Sequence, residues 1–306
     1  MSLSTALAAL AITASLFSLP PTKTLQAQTR PAITGLAFVR VYSSDPVASQ
    51  GFYNGVLGYA HTGANGLGRY GVNGVQWIEV AAMPSPAPRD RVAAIAFTTR
   101  DAAKLEKYLK ARGVVIVEPL HGGSFAIHDP EGRLVVFVQQ GPTPAAGSAQ
   151  ISPQAKSHRI IHTGFTVEDR DVEDRFYKDL LGFKPYWYGG RKDGALDYVS
   201  MQVPDGTDWV EYMLGPTSQM DTRQLGSANH LSLGLAHIEA AMTSAQLLCK
   251  DACKMDPATH VGRNGATQFN LYDPDLTRVE FMEFDPAKEP CCSPYAGPHP
   301  KEKEDR

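Results

Sequence analysis

The chain has 306 residues, 43% of them hydrophobic and 20% charged, and its 29 Lys and Arg against 32 Asp and Glu leave a net charge of −3. That length holds two ordinary domains or one large one. With the two signs balanced, no basic stripe and no Lys/Arg cluster interleaved with aromatics, nucleic acid is excluded as the expected partner, and nothing favours adsorption to an anionic membrane.

The chain opens on "LSTALAALAITASLFSLP", an apolar run of small residues followed by "PTKTLQAQ". This is the pattern of a secretory signal peptide with processing near Ala27 or Gln28, although no Lys or Arg precedes Lys23. Residues 1–28 are therefore expected to be a signal peptide and the mature protein periplasmic or secreted, with no membrane anchor after cleavage. If the segment is instead an N-terminal extension, the protein is cytoplasmic.

From residue 33 the chain reads "ITGLAFVRVYSSDPVASQGFYNGVLGY": an apolar strand, an acidic turn, a short helix carrying Phe52-Tyr53, then Gly58 and an aromatic. Strand-like segments follow and end on "VQWIEV", with Glu79. "AAIAFTTRDAAKLEKYLKARGV" is a strand and an amphipathic helix, and "FAIHDPEGRLVVFV" is a strand, an Asp-Pro turn and a strand. A Pro/Gly/Ala/Ser-rich stretch over 142–157 has the composition of a linker. The pattern then repeats. "RIIHTGFTVEDRDVEDRFYKDLLGF" matches the first phrase, its Phe-Tyr pair 124 residues after the earlier one. "TDWVEY", with Glu211, answers "VQWIEV"; "NHLSLGLAHIEAAMTSAQ" answers the second strand and helix; "FNLYDPDLTRVEFMEF" answers the second Asp-Pro hairpin.

The chain thus holds four units of about fifty to sixty residues, each readable as βαβββ. They form two halves, 31–141 and 158–285. One unit cannot cover its own apolar sheet face; two paired edge to edge give a curved sheet with helices outside and a cup inside. The expected fold class is α+β, two such domains in one chain. The tail 286–306, "PAKEPCCSPYAGPHPKEKEDR", has little to bury and is expected to be disordered. Cys249 and Cys253 lie in a helix and Cys291 and Cys292 in that tail, so export would permit a helix-to-tail disulfide. With His299 they match no usual zinc pattern.

This organisation, in particular "IIHTGFTVEDRDVEDRFYKDLLGF" and "YDPDLTRVEF", resembles the vicinal oxygen chelate superfamily, which includes glyoxalase I, the extradiol dioxygenases and bleomycin-resistance proteins. The resemblance implies a cup whose divalent metal is held from the first and last strands of each module. Carried over, those positions are His162, Glu211, His230 and Glu280, and in the N-terminal half Leu36, Glu79, Ala94 and Val136. The N-terminal half is therefore expected to keep the scaffold without the metal site. Two imidazoles and two carboxylates form an N/O set suited to Fe, Zn, Ni or Mn.

Two chemistries follow from the resemblance. In glyoxalase-I-like proton transfer (isomerase, lyase or epimerase), Glu211 or Glu280 is the catalytic base and all four residues surround the metal. In extradiol ring cleavage, His162, His230 and Glu280 form a facial triad on Fe(II). The four-residue set places proton transfer first and ring cleavage second. Where ring-cleaving relatives would carry His and Tyr, this chain has Asn264 and Asn270, with His260 close to the first. The third reading is a binding or resistance protein that sequesters a small ligand. Arg191, Arg263, Trp209 and Tyr212 complete the candidate substrate contacts. The partner expected in every case is a small oxygenated molecule, and four modules in one chain fit a monomer or a homodimer.

Overall fold

The computed structural model describes residues 29–141, 151–250 and 253–302. Its first module runs β1 (Ile33–Ser43), α1 (Pro46–Gln50, widening into a π-type turn over Gly51–Val56), β2 (Ala60–Ala64), β3 (Leu67–Gly71) and β4 (Trp77–Ala82). The second is β5 (Val92–Thr99), α2 (Ala102–Lys110), β6 (Ile116–His121), β7 (Ser124–His128) and β8 (Leu134–Gln139). The third is β9 (Ile160–Val167), α3 (Arg170–Asp174, widening over Arg175–Leu180), β10 (Lys184–Gly189), β11 (Tyr198–Gln202) and β12 (Trp209–Leu214). After α4 (Thr222–Ala228) the fourth comprises β13 (His230–Leu235), α5 (Glu239–Cys249), the short β14 (Lys254–Met255) and β15 (His260–Val261), β16 (Thr267–Tyr272) and β17 (Arg278–Glu283).

The strands make two mixed sheets. The N-terminal one has the order β2-β3-β4-β1-β5-β8-β7-β6, and the C-terminal one β10-β11-β12-β9-β13-β17-β16-β14 with β15 on β16. In each half the two modules meet where their first strands pair antiparallel, β1 with β5 and β9 with β13, and within each module the first strand lies parallel to the last. The fold class is the expected α+β arrangement of two cups.

The repeated phrase has a local and a long-range part. Locally, Asp45 and Asp169 cap the helices by accepting backbone N–H groups from Val47, Ala48 and Val172. Gly58 and Gly182 follow the helices at φ +82° and +79°, the left-handed conformation that glycine adopts without penalty. The long-range part belongs to the tyrosines. Tyr53 in the first module donates to Asp273 of the fourth at 2.8 Å, and Tyr177 in the third donates to Asp129 of the second at 3.3 Å. Each half thus clasps the Asp-Pro turn of the other. Arg159 and Asp208, both buried and paired at 2.6 Å, add a third tie, because Asp208 also accepts the Leu36 N–H at 2.8 Å.

Three expectations change. The tail is not disordered through residue 302: it lies across the C-terminal sheet rim. Trp187 Nε1 donates to the Cys291 carbonyl at 3.1 Å, Gln202 to that of Pro298 at 2.9 Å, and Tyr295 packs on Tyr186 with ring centroids 4.8 Å apart. A Pro-rich segment with no core of its own is ordered by the groove that receives it. No disulfide joins helix and tail; Cys249 pairs with Cys253 and Cys291 with Cys292. The linker's second part is ordered too, with Lys156 donating its N–H to Leu57 at 3.1 Å. The expected signal peptide and the linker's first part, 142–150, lie outside the described residues. Among those residues no helix is long and apolar enough to cross a membrane.

Candidate metal centre

His162 on β9 and Trp209 on β12 are register partners, as are Gly164 and Glu211, and Gly164 faces His230 on the other side. Ser232 lies opposite both His162 and Glu280. Residues directly opposite in a sheet share a face, so His162, His230, Glu211 and Glu280 converge on the concave side. His162 Nε2 lies 3.1 Å from His230 Nε2 and 3.2 Å from Glu280 Oε2. Donor atoms of these three buried residues all fall within 4.8 Å of one another. Glu211 stands just outside that group, its Oε2 3.7 Å from His230 Nε2.

The ligand set is held from behind. His230 Nδ1 lies 2.7 Å from the Ala228 carbonyl, which makes it the N–H donor and turns the unprotonated Nε2 toward His162. Trp209 stacks on His162 at 4.6 Å between centroids. Burial, with the Arg278 guanidinium beside it, pushes the His230 imidazole well down. Burial works against charge on Glu280, but His162 and Arg278 outweigh it and hold the carboxyl well below its ordinary range. Glu211 goes the other way: burial raises it, opposed by His162 and reinforced by the charge of Glu280.

The residues fit a divalent ion. Metal bonds of about 2.1 Å at right angles place neighbouring donors about 3.0 Å apart, close to the separations found here. His162 Nδ1, Ser232 Oγ and Arg278 Nε are buried atoms with no hydrogen-bond partner, all on residues of this one face. Such a concentration of unmet polar atoms is costly unless something binds among them. A cavity of about 280 Å³ opens over the site, walled by Trp187, Met213 and Met282 and edged by His260, Arg263 and Asn264.

The candidate substrate contacts divide. Arg263 and Asn264 line this cavity. Asn270 is opposite Glu280 in register, and its side chain donates to Asp256 at 2.8 Å. Trp209 serves as the backing of His162. Tyr212 is fully buried against Phe165 and Tyr177 on the other face, because strand alternation turns it away from Glu211. Arg191 is exposed and paired with Asp197 at 3.5 Å, away from the cavity. Two polar residues beside the ligands carried no sequence-based expectation, Ser232 and Arg278, each two positions from a candidate ligand, and neither did Met213 and Met282 of the cavity wall.

The N-terminal cup has another interior. Phe38, not Leu36, is the counterpart of His162: it pairs with Trp77 as His162 pairs with Trp209, and the two rings stack at 5.1 Å. Leu36 packs in the main core instead. Arg40 takes the place of Gly164, opposite Glu79 and Ala94. Glu79 accepts from Arg40 at 2.8 Å, Arg69 at 3.1 Å and Trp77 at 2.9 Å. Its carboxylate is consumed by that network.

No protein-family model matches the chain. Its fold is that of the extradiol dioxygenases. A catechol 2,3-dioxygenase superposes with a TM-score of 0.62 at 17% identity, over 83% of this chain and 94% of that one. The 2,3-dioxygenase LapB from Pseudomonas sp. KL28 gives 0.60 at 15% identity, over 89% and 96%. Homoprotocatechuate 2,3-dioxygenase from Brevibacterium fuscum, solved with 3,4-dihydroxyphenylacetate bound, gives 0.59 at 17% identity, over 83% and 82%. By sequence, the uncharacterised protein YwbC of Bacillus subtilis (strain 168) is 27% identical over 126 residues, 41% of this chain and 97% of that protein.

Proposed function

We propose that the C-terminal cup is the active site of a metal-dependent dioxygenase that opens the ring of a small aromatic vicinal diol. The observation that carries this reading is the three-donor group of His162, His230 and Glu280, with Glu211 left outside it. Three protein donors on one side match the two-His-one-carboxylate pattern of oxygen-activating Fe(II) sites, which keep positions open for substrate and O₂. The order expected from sequence, with proton transfer first, is therefore reversed. The likeness in fold to ring-cleaving enzymes supports the same reading.

In this mechanism His162, His230 and Glu280 would hold the ion, which would supply Lewis acidity toward the diol and the redox capacity that oxygen chemistry needs. Trp187, Met213 and Met282 pack the flat ring and exclude water. Glu211, its carboxyl raised by burial, is placed to take or return a proton at the cup floor. His260 stands at the cavity edge with Asp256 3.7 Å from its Nδ1 and is the second group able to move a proton. Fe(II) is the proposed metal. Export to an oxidising compartment, where the pairs Cys249–Cys253 and Cys291–Cys292 would persist, is part of the same proposal.

A second reading rests on Glu211 alone. At 3.7 Å from His230 it needs only a small movement to become a fourth ligand, which would return the site to glyoxalase-like proton transfer. Metal analysis and an oxygen electrode separate the two. The proposal expects one equivalent of iron after anaerobic reconstitution and oxygen uptake on adding catechols. Isomerisation of a hemithioacetal without oxygen uptake, on a Zn- or Ni-loaded chain, overturns it.

A further inference from the structure

The group in this cup with the least explanation is the Arg278 guanidinium. It opens β17, faces His230 in register, lines the cavity, and its side chain is only 12% exposed. Two other buried guanidiniums sit tightly on acids: Arg159 is 2.6 Å from Asp208, and Arg133 is bonded to Asp129. Arg278 has no such partner. Its Nη2 lies 2.8 and 3.0 Å from the two ring nitrogens of His230, which carry no counter-charge. Its Nη1 reaches Glu280 only at 3.5 Å and Asn270 at 3.4 Å, and its Nε has no partner at all. A buried cation needs a close counter-charge or several good acceptors.

The fold does not require an arginine here. In the N-terminal cup the corresponding position, five residues after the Asp that opens the turn and directly before Val135, the partner of Ile95, holds Leu134, which packs against the apolar interior. The cup that brings the three donors together is also the cup that carries the extra cation. Seating a divalent ion sharpens the imbalance. Glu280 then answers part of the ion's charge, and Arg278, which lines the cavity, is left beside a second cation with its Nε unmatched. An anion bound in the cavity beside Arg278 balances both.

We infer that Arg278 is a specificity-determining residue which binds an ionised oxygen of the substrate, so that the cup selects vicinal diols acidic enough to enter as anions over neutral hydroxy-ketones of similar size. The inference rests on the proposed metal site and names its substrate class. The hydrogen bonds involved are charge-assisted, the type worth most when formed and most costly when one partner is removed.

The test uses the full chain, redox-inert Zn²⁺ and 4-nitrocatechol, whose visible spectrum reports its ionisation. The zinc-loaded wild type is expected to bind the probe and shift it to the ionised spectrum at a pH where the free probe is still largely protonated. Arg278→Leu, the residue of the N-terminal cup, should retain its zinc, lose the shift and bind about tenfold or more weakly. Arg278→Lys, which keeps the charge without the fork, should fall between them. Binding and spectral shift unchanged in Arg278→Leu overturns the inference, and so does loss of zinc together with the probe, which would make Arg278 a support of the ligands. A metal-free arm separates this from the parent reading. Arg278-dependent probe binding that zinc does not strengthen removes the metal and leaves the anion site, whereas a wild type that binds no probe in either state overturns both.

Discussion

Gly164→Ala is the most informative single change, because a methyl group there is predicted to dismantle the candidate centre without altering any ligand. Gly164 lies in β9 with an ordinary strand backbone, where Ala normally gains about 0.5–1 kcal/mol over Gly. The sign is reversed here by geometry. A Cβ at 164 would stand 2.0 Å from His230 Cε1 and 2.4 Å from its Nδ1. The ring is fully buried and tied to the Ala228 carbonyl at 2.7 Å, so it cannot swing aside while keeping Nε2 toward His162. Overpacking of this kind costs about 1–3 kcal/mol, a drop of several degrees in Tm for a domain of this size. Metal affinity should fall by at least about 100-fold, since disturbing even the partners of a ligand costs 10–100-fold. Zinc competition against a chromophoric chelator and calorimetry in His230→Ala and wild-type backgrounds complete the cycle. Gly164→Ala should destabilise the wild type but not His230→Ala, where the clash is gone. Equal destabilisation in both backgrounds, or wild-type zinc affinity in the single variant, refutes the reasoning.

Glu211→Gln should keep about one equivalent of metal while lowering turnover by about 10²–10⁴-fold, the scale of a lost proton-transfer group; loss of the metal, read by elemental analysis, would instead make Glu211 a ligand. Stability should fall as pH rises, because burial lifts Glu173 to about 8 and Asp273 to about 7. Both values are raised, so between the ordinary carboxyl range and these pKa values the folded state holds protons that the unfolded state has released. The stabilisation is complete below that range and is lost as pH climbs through 7 and 8. Thermal melts from pH 5 to 8.5 check this, with a shallower slope in Glu173→Gln; equal slopes refute it. Ending the chain after Asp285 should uncover Tyr186 and Trp187, red-shift tryptophan emission and cost about 3 kcal/mol in denaturant unfolding, from the aromatic burial and the hydrogen bonds the tail makes. An unchanged midpoint would show that the tail only rests on the rim.

The fold was legible because its signals are local. Capping aspartates, glycines after short helices and Asp-Pro turns each act within a few residues, and their repetition displays the four modules. The Phe-Tyr pair was visible as a repeat, but its purpose was not, since Tyr53 acts on Asp273 in the other half. The site was legible where a ligand position coincided with an unusual residue type. Leu36 stands two residues before Phe38, yet a bulge between them turns Leu36 into the main core, so plain alternation assigns it to the cup face wrongly. Counting 124 back from His162, the spacing of the Phe-Tyr pairs, arrives at Phe38. Alternation would have excluded Tyr212, which follows Glu211, and would have recovered Ser232 and Arg278, which stand two positions from His230 and Glu280.

The two halves differ by a linked exchange of volume as much as by the loss of donors. In the C-terminal cup the smallest residue, Gly164, faces the bulky His230; in the N-terminal cup the bulky Arg40 faces the small Ala94. Either combination fills the same space between neighbouring strands, and mixing them does not. Arg40 then commits Glu79, which Arg69 and Trp77 also hold, so the single surviving candidate ligand of that half has become a structural anion. Returning imidazoles to 38 and 94 and a carboxylate to 136 would still leave Arg40 against the new ring at 94 and beside the new donors. A donor list read from sequence sees the vacant ligands in one cup. It does not see that space for the other cup's second imidazole depends on a glycine in the neighbouring strand, and that glycine separates a scaffold from a site.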